Sequence, residues 1–306
     1  MIRFQPHYQP ALWGGRRLEE EFGRDLPKGE IGESWELVEL PERESPVASG
    51  PHAGKKIGEL WRAGALGGTA QGGFPFLLKW IDAAQKLSVQ VHPDAAACAK
   101  LGKGAPKTEA WYVAHAEPKA TLLIGHHPGL DPSTLKQAAT GGTLQKWLYE
   151  TRPRVGDMFL LEAGTVHAIG AGFLLLEVQQ PSDTTFRIYD WGRVGADGQP
   201  RALHLEEAAA SVAYDRYGAP RAVRQGVGGP CFTMRSLRSG LAIPAHGLRV
   251  FVADTGPARL SHERGEEILE HGDVVVAEPK DGAVRIASGS VVLLTEPGAA
   301  GAQPAA

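Results

Sequence analysis

Three short segments of the sequence carry side chains that can bind a metal ion. The first is KLSVQVHPD at 86–94, where strict alternation places Ser88, Gln90 and His92 on one face of a β-strand and apolar residues on the other. A polar face with one histidine is also typical of an ordinary solvated strand. The choice between these interpretations depends on what the other two segments supply.

The second segment, KTEAWYV at 107–113, places Lys107 and Glu109 on the same side of a strand as two apolar residues. A carboxylate in that position needs a cation or hydrogen bonds, because an unpaired buried charge costs several kcal/mol. A metal ion would be a sufficient partner for Glu109. The alternative is an ion pair between Lys107 and Glu109 at the strand entrance, which contributes little if it is exposed.

The third segment, GDMFLLEAGTVH at 156–167, presents His167 after a glycine turn, an apolar strand and a second glycine turn. It resembles the second conserved motif of the cupin β-barrels, with Glu162 where that family usually has proline. The three segments together offer two imidazoles, one carboxylate and one amide, from Gln90, His92, Glu109 and His167. This set suits Zn²⁺ with room for solvent or substrate, and it is also compatible with iron or manganese.

The composition excludes several classes of protein. Of 306 residues, 42% are hydrophobic, and 39 glycines and 22 prolines indicate a globular chain rich in turns rather than a disordered one. The formal charge of -3 gives no footprint for nucleic acid or an anionic membrane, so we expect a small-molecule partner. The chain shows no signal-peptide pattern and no apolar run of membrane-spanning length. Because Cys98 and Cys231 are too few for a disulfide framework, we expect a cytoplasmic protein.

The elements that must position these residues are mainly short β-strands, since apolar runs broken by Gly, Pro and Asp recur along the chain. Helical patterns are few, and they lie at about 53–66, 94–103 and 131–150. The heptapeptide GDMFLLE at 156–162 recurs in form as GDVVVAE at 272–278, each copy being followed by a second apolar strand. This repeat predicts two β units.

We therefore expect a mainly β fold of two cupin-like β-barrel, or jelly-roll, units with a few short inserted helices. The expected divisions are a catalytic first unit at 1–215, a smaller second unit at 229–297 and a frayed tail at 298–306. The stretch at 192–228 is the candidate linker. In an ungapped comparison Ala283 takes the place of His167, so the second unit is expected to bind no metal.

Four motifs in order along the chain give a resemblance to a known family. They are KLSVQVHPD at 86–94, KTEAWYV at 107–113, AGTVHAIGAG at 163–172 and SDTTFRIYDWGR at 182–193. Together they resemble the type I phosphomannose isomerases in their short bacterial form, and IGESWELVEL at 31–40 matches a further segment of that family. The resemblance extends to about residue 215, and the C-terminal unit fits in pattern only.

The resemblance implies a zinc-dependent aldose-ketose isomerase that interconverts D-mannose 6-phosphate and D-fructose 6-phosphate through an enediol or enediolate. It also implies one zinc ion per chain. By position in the family motifs, the ligands would be Gln90, His92, Glu109 and His167, and the catalytic arginine would be Arg187.

A sugar phosphate needs fixed donors and cations for its dianion. Ser88 and Lys107 precede Gln90 and Glu109 by two residues and share their strand faces, so we expect them to bind the phosphate. A local salt bridge is the alternative for Lys107. Arg193 is either a second anion contact or a residue that caps a glycine turn.

Isomerisation also needs a base that moves a proton between neighbouring carbons. We expect Glu177 in this role, because it interrupts the apolar run LLLEV and desolvation would raise the pKa of its carboxyl toward the working pH. An edge-strand carboxylate in water is the alternative. Glu33 and Asp190 are further candidates for the base.

Two other functions are open at this point. Two histidines and one carboxylate are also the ligand set of cupin Fe(II) dioxygenases. A non-catalytic cupin that binds a sugar phosphate is the other, since a fold does not fix a function. A monomer and a homodimer are equally compatible with the sequence.

Overall fold

The computed structural model describes residues 1–68, 71–195 and 198–297, so the expected tail at 298–306 lies outside the described residues. The described chain is mainly β, as predicted, with short helices between strands. The strands of the first half are β1 His7–Gly15, β2 Ile31–Leu37, β3 Glu39–Leu40, β4 Arg43–Glu44, β5 Leu77–Ala83, β6 Val89–Val91, β7 Glu109–Ala116, β8 Leu122–His126, β9 Leu148–Thr151, β10 Met158–Leu161, β11 His167–Ile169, β12 Phe173–Gln179 and β13 Phe186–Tyr189. Those of the second half are β14 Gly226–Gly228, β15 Thr233–Arg238, β16 Ala242–Ile243, β17 Val250–Ala253, β18 Ala258–His262, β19 Gly265–Leu269, β20 Val274–Val276, β21 Val284–Ser288 and β22 Ser290–Thr295. The helices are α1 Arg17–Glu20, α2 Ile57–Arg62, α3 Ala95–Leu101, α4 Pro132–Thr140 and α5 Leu205–Ser211.

Four antiparallel sheets form two pairs, which is the jelly-roll arrangement expected from the sequence. In the first pair a six-stranded sheet, in the order β1-β2-β5-β12-β7-β10, faces a five-stranded sheet, β13-β6-β11-β8-β9. In the second pair a five-stranded sheet, β14-β15-β22-β17-β20, faces a four-stranded sheet, β16-β21-β18-β19. Hydrogen bonding within the described ranges leaves the sheets of each pair separate and closes no barrel. The assignment of domain boundaries stays a prediction.

Each sheet pair encloses an apolar core. In the first pair Trp111 and Phe173 of the six-stranded sheet pack in one cluster with Leu122 and Ile169 of the five-stranded sheet. The outer face of that five-stranded sheet is covered by α4 and α5, whose buried residues join Val89 and neighbouring side chains in a second cluster. Helix α5 lies within the stretch 192–228, and the role of that stretch as a linker stays a prediction.

The two sheet pairs also share a core. The outer face of the six-stranded sheet, with Trp80 and Leu176, packs in one cluster with Phe232 and Val292 of the second pair. The layers therefore follow one another in a fixed order. Helices α4 and α5 come first, then the five-stranded and six-stranded sheets of the first pair, and then the five-stranded and four-stranded sheets of the second pair. Among the described helices, none is long and apolar enough to cross a bilayer.

The internal repeat has a structural counterpart. Strands β10 and β20 each lie at a sheet edge beside β7 and β17, which in turn neighbour β12 and β22. The turns before them make the same hydrogen bonds: Gly156 N–H donates to Val113 at 2.9 Å, and Gly272 N–H donates to Ala253 at 2.9 Å. A metal-free second unit, inferred from Ala283, stays a prediction.

Aspartate caps begin two of the helices, α3 and α4. The Asp131 carboxylate accepts the Thr134 N–H at the start of α4, and Pro132 occupies the first helical position. Each of the three ranges expected to be helical contains a helix shorter than the range: α2 lies within 53–66, α3 within 94–103 and α4 within 131–150. From Leu148 the chain forms β9 because it pairs there with β8.

Candidate metal centre

The site lies between the two sheets of the first pair, where the strand register aligns its side chains. On the five-stranded sheet Gln90 is the register partner of His167 on one side and of Arg187 on the other. On the six-stranded sheet Glu177 is the partner of Trp111. Of these residues, Gln90, Glu177 and Arg187 line one cavity of about 350 Å³, although they lie far apart in the sequence.

His92, Glu109 and His167 form a buried group whose ligand atoms all lie within 4.8 Å of one another. His92 Nε2 is 3.2 Å from Glu109 Oε2, and His167 Nε2 is 3.3 Å from Glu109 Oε1. The Gln90 amide lies beside them, with its nitrogen 3.2 Å from His167 Nε2. The structure thus brings together all four residues predicted as ligands, and their role as ligands stays a prediction.

Backbone carbonyls orient both imidazoles toward this point. His92 Nδ1 donates to the carbonyl of Thr184 at 2.8 Å, and His167 Nδ1 donates to that of Thr165 at 3.0 Å. Each Nε2 is then an acceptor, which is how a metal-binding histidine is usually held. Burial, with help from Lys107, lowers the pKa of His92 to about 3, and burial also lowers the pKa of His167. Both rings are therefore neutral near pH 7 and able to bind a cation.

The donor set fits a metal ion. His92 Nε2 and both Glu109 oxygens are buried and make no hydrogen bond within residues 1–68, 71–195 and 198–297. Lys107 Nζ lies 3.0 Å from Glu109 Oε2, but this contact is an ion pair outside hydrogen-bond geometry. Buried acceptors without donors are costly. A cation at their point of convergence would satisfy them, and their nitrogen and oxygen chemistry suits zinc.

A second buried group of charges lies in the same cavity. Glu177 accepts the indole N–H of Trp111 at 2.7 Å and lies 3.1 Å from Lys79 Nζ and 3.7 Å from Lys107 Nζ. Burial of Glu177 agrees with the sequence interpretation, and the alternative of a carboxylate in water does not hold. The expected apolar setting was only half of its environment, because two ammonium groups also lie beside the carboxylate.

Lys79 is a site residue that sequence reasoning missed. It contacts both Glu177 and Glu33, each at 3.1 Å, and all three line the cavity. Burial alone would lower the pKa of Lys79, but the carboxylates raise it; burial would raise the pKa of Glu33, but Lys79 lowers it. The signal was present, since Lys79 interrupts the apolar run FPFLLKWID as Glu177 interrupts LLLEV.

Replacing Lys79 with methionine should destabilise the protein by about 3–5 kcal/mol, because the buried Glu177 and the half-buried Glu33 would lose their shared partner. Urea denaturation followed by tryptophan fluorescence measures this change. Lys119→Met, at an exposed position, is the matched control and should shift the unfolding free energy by no more than about 0.5 kcal/mol. Equal stability of the two variants would show that the Lys79 ion pairs contribute nothing to the fold.

The two residues predicted to bind phosphate both line the cavity. Ser88 is buried, with its hydroxyl 3.5 Å from the Gln90 amide oxygen. Lys107 instead contacts Glu109 and Glu177, as in the salt-bridge alternative, so its role toward phosphate stays a prediction. Leu87, expected on the apolar face, also borders the cavity, because β6 begins only at Val89.

Arginines occupy the outer part of the cavity. Arg187 donates to the carbonyl of Ala202 at 2.9 Å, and burial followed by repulsion from Arg201 lowers the pKa of its guanidinium. Arg201, which sequence reasoning did not identify, also lines the cavity while it pairs with Asp190. Arg193 pairs with the same Asp190 but does not line the cavity, and it donates to the carbonyl of Lys86 at 2.6 Å.

Known proteins are similar to this chain in sequence and in fold. A family model described as phosphomannose isomerase type I, catalytic domain, matches residues 1–112. A mannose-6-phosphate isomerase from Streptococcus mutans is 38% identical over 206 residues, which are 67% of this chain and 65% of that relative. One from Bacillus subtilis is 38% identical over 212 residues, again 67% of this chain and 65% of the relative. The match thus spans slightly less than two thirds of the length of these relatives.

Solved structures extend the likeness over nearly the whole chain. The crystal structure of mannose 6-phosphate isomerase from Bacillus subtilis is 26% identical with a TM-score of 0.85, and the match covers 96% of this chain and 98% of that one. A variant of phosphomannose isomerase from Salmonella typhimurium is 16% identical with a TM-score of 0.73, covering 97% of this chain and 99% of that one. The second comparison shows a shared fold.

Proposed function

Because the chain belongs to the type I phosphomannose isomerase family, we propose that it interconverts D-mannose 6-phosphate and D-fructose 6-phosphate with the help of one zinc ion. The observation that carries this proposal is the buried His92, Glu109 and His167 group. It lies next to the cavity that holds Glu177 and Arg187, because Gln90 and Lys107 both contact the group and line that cavity. A reacting sugar carbon and its oxygens would meet metal, base and cation in one place. The expected cytoplasmic location is part of the proposal, and both cysteines are free.

The zinc ion would be held by Gln90, His92, Glu109 and His167. When bound, it would act as a Lewis acid toward an oxygen of the open-chain sugar. The neutral imidazoles and the buried Glu109 carboxylate neutralise only part of its charge, so the centre keeps electrophilic character. The residues around it must then move a proton and stabilise the charge that develops.

Glu177 is the group that supports proton transfer. In the forward direction its carboxylate would take the proton from C2 of the aldose and return it to C1, while a proton passes between the two oxygens. The Trp111 indole N–H fixes one carboxylate oxygen at 2.7 Å, and the other oxygen makes no hydrogen bond within the described part of the chain. The ammonium groups of Lys79 and Lys107 lie 3.1 Å and 3.7 Å from this second oxygen, beside the carboxylate that would act as the base.

The cationic side chains of the cavity would serve two roles, one toward the enediolate and one toward the phosphate. Arg187, half-buried beside Gln90 in the strand register, would stabilise the negative charge of the enediolate. Ser88 and Lys107 are retained as phosphate contacts, and Arg201 adds a guanidinium that can bind a phosphate through two donors. The charged lining and the amide of Gln90 support this proposal over a cupin Fe(II) dioxygenase.

Arg201→Ala should raise KM for mannose 6-phosphate about tenfold with a smaller effect on kcat, because a charge-assisted contact to the phosphate would be lost. Steady-state kinetics measure both constants. Arg193→Ala is the matched control, since Arg193 pairs with the same Asp190 without lining the cavity, and its KM should stay near that of the unchanged protein. A KM increase of the same size in both variants would mean that Asp190 pairing, and not phosphate contact, matters.

A coupled assay of purified, zinc-loaded protein with mannose 6-phosphate tests the proposed function. We expect turnover to fructose 6-phosphate, and we expect Arg187→Ala to lose turnover while it retains metal. A protein that binds sugar phosphate without catalysis would show no turnover to lose. Oxygen uptake after addition of Fe²⁺ would instead indicate a dioxygenase.

A further inference from the structure

A second cavity, of about 650 Å³, lies at the seam between the two sheet pairs, on the opposite side of β7 from the metal centre. Strand β7 separates the two sites: Trp111 contacts Glu177, whereas Tyr112 points the other way and borders this cavity. On β15, Met234 belongs to the core shared by the sheet pairs, while Ser236 and Arg238 line the cavity. The apolar seam thus opens into a polar pocket.

The floor of the pocket is held by a hydrogen-bond chain that begins in the interior and ends at the surface. Tyr112 donates its hydroxyl to Asp254 at 2.7 Å, and Ser290 donates to the other carboxylate oxygen at 2.6 Å. Thr255 extends the chain through a 2.8 Å hydrogen bond to Ser290. Because Asp254 is almost fully buried and already accepts these two bonds, its negative charge is directed into the floor.

Two guanidinium groups dominate the charge that the pocket offers to a ligand. Arg224 uses Nε to bind Asp157 at 2.8 Å, which leaves its two terminal nitrogens as donors. Arg238 is exposed and forms no ion pair with an acidic residue in the described ranges. The segment that carries Arg224 runs beside β15, which carries Arg238: the Ser236 N–H donates to the Gln225 carbonyl at 3.2 Å, and both arginines line the pocket.

We propose that this cavity binds a phosphorylated polyol, with the phosphate on Arg224 and Arg238 and the hydroxyls on the serine and threonine side chains of the lining. Planar guanidinium groups match the oxygens of a phosphate monoester, and hydroxyl side chains can both donate to and accept from those of a polyol. Ser236, Ser239 and Thr255 supply such hydroxyls. Tyr112 is the only aromatic side chain among the described lining residues, so a nucleobase would have little surface for stacking.

Isothermal titration of the full chain with sorbitol 6-phosphate, inorganic phosphate and sorbitol tests the proposal. We expect Arg238→Ala to weaken one sorbitol 6-phosphate binding event about tenfold or more, since an exposed charged donor is removed. Arg285→Ala, an exposed arginine of β21 outside the cavity, is the matched control and should bind like the unchanged protein. Ser236→Ala should weaken sorbitol 6-phosphate more than inorganic phosphate, and sorbitol alone should show no binding.

A crystal soaked with sorbitol 6-phosphate gives a second reading that does not depend on the isomerase activity. The proposal predicts phosphate density within hydrogen-bond distance of Arg224 and Arg238. It is overturned if Arg238→Ala binds sorbitol 6-phosphate as tightly as the unchanged protein, or if the soaked molecule occupies only the cavity of the metal centre. Inorganic phosphate binding as tightly as sorbitol 6-phosphate would also contradict it, because the hydroxyl contacts would then contribute nothing.

Discussion

Replacing His167 with alanine is expected to remove the bound metal and to lower turnover by a factor of about 10³ or more. The ring supplies one of two Nε2 acceptors that converge on Glu109, and its orientation is fixed through the Thr165 carbonyl. Loss of the metal as an electrophile removes several kcal/mol of transition-state stabilisation, and each 1.4 kcal/mol is about a factor of ten in rate. Elemental analysis gives the zinc content, and the coupled assay gives the rate.

His115→Ala is the matched control for this prediction. His115 lies on β7, the strand that carries Glu109, but it pairs with Glu21 and is partly exposed. This variant should retain one zinc ion per chain and nearly full activity. If His167→Ala kept both its zinc and its turnover, the ion would have to bind elsewhere, and the metal centre described here would be wrong.

Glu177→Gln is expected to lower kcat about 10²–10⁴-fold while zinc content and KM change little, because a positioned base contributes that much to proton transfer. The amide retains the shape of the side chain and an oxygen that can accept the Trp111 N–H. In D₂O the unchanged protein should place solvent deuterium on the carbon that receives the proton. The variant should lose this exchange together with its turnover.

The variant Glu33→Gln tests whether Glu33, and not Glu177, is the base. Both carboxylates contact Lys79 and line the same cavity, so a general effect on charge should appear in both variants. We expect Glu33→Gln to retain deuterium exchange and most of its kcat. Loss of exchange in Glu33→Gln, with exchange preserved in Glu177→Gln, would reassign the base.

The sequence was sufficient to predict that the four candidate ligands lie together, because their positions follow local rules. Alternation along short strands places Gln90 and His92 on one face, and the glycine turns around β10 lead to His167. The register then aligns Gln90 with His167, as a sheet built from these strands requires. The same reasoning could not choose the metal, since nitrogen and oxygen ligands suit several ions.

The residues that sequence reasoning missed depend on long-range packing. Lys79 meets Glu177 because β5 and β12 are neighbours in the six-stranded sheet, although nearly one hundred residues separate the two strands. Arg201 reaches the cavity through its pairing with Asp190. A buried charge can be suspected from an interrupted apolar run, but its partner on another strand cannot be named from the chain alone.

The core that the two sheet pairs share also could not be predicted from the sequence. The repeat at 156–162 and 272–278 predicted two similar β units, and equivalent turns carry both copies. Nothing in the repeat indicates that the outer face of the six-stranded sheet is covered by the second pair. Strands buried on both faces read as continuous apolar runs, and those runs do not reveal which sheet covers them.

Zinc titration of the metal-depleted protein tests whether turnover depends on one zinc ion per chain. The chelated protein, checked for retained structure by circular dichroism, is mixed with increasing zinc while conversion of mannose 6-phosphate to fructose 6-phosphate is followed. We expect almost no turnover without zinc, a linear rise with added zinc, and a plateau at one equivalent per chain. Full turnover in protein shown to be free of metal, or no turnover in folded protein carrying one zinc ion, would contradict this expectation.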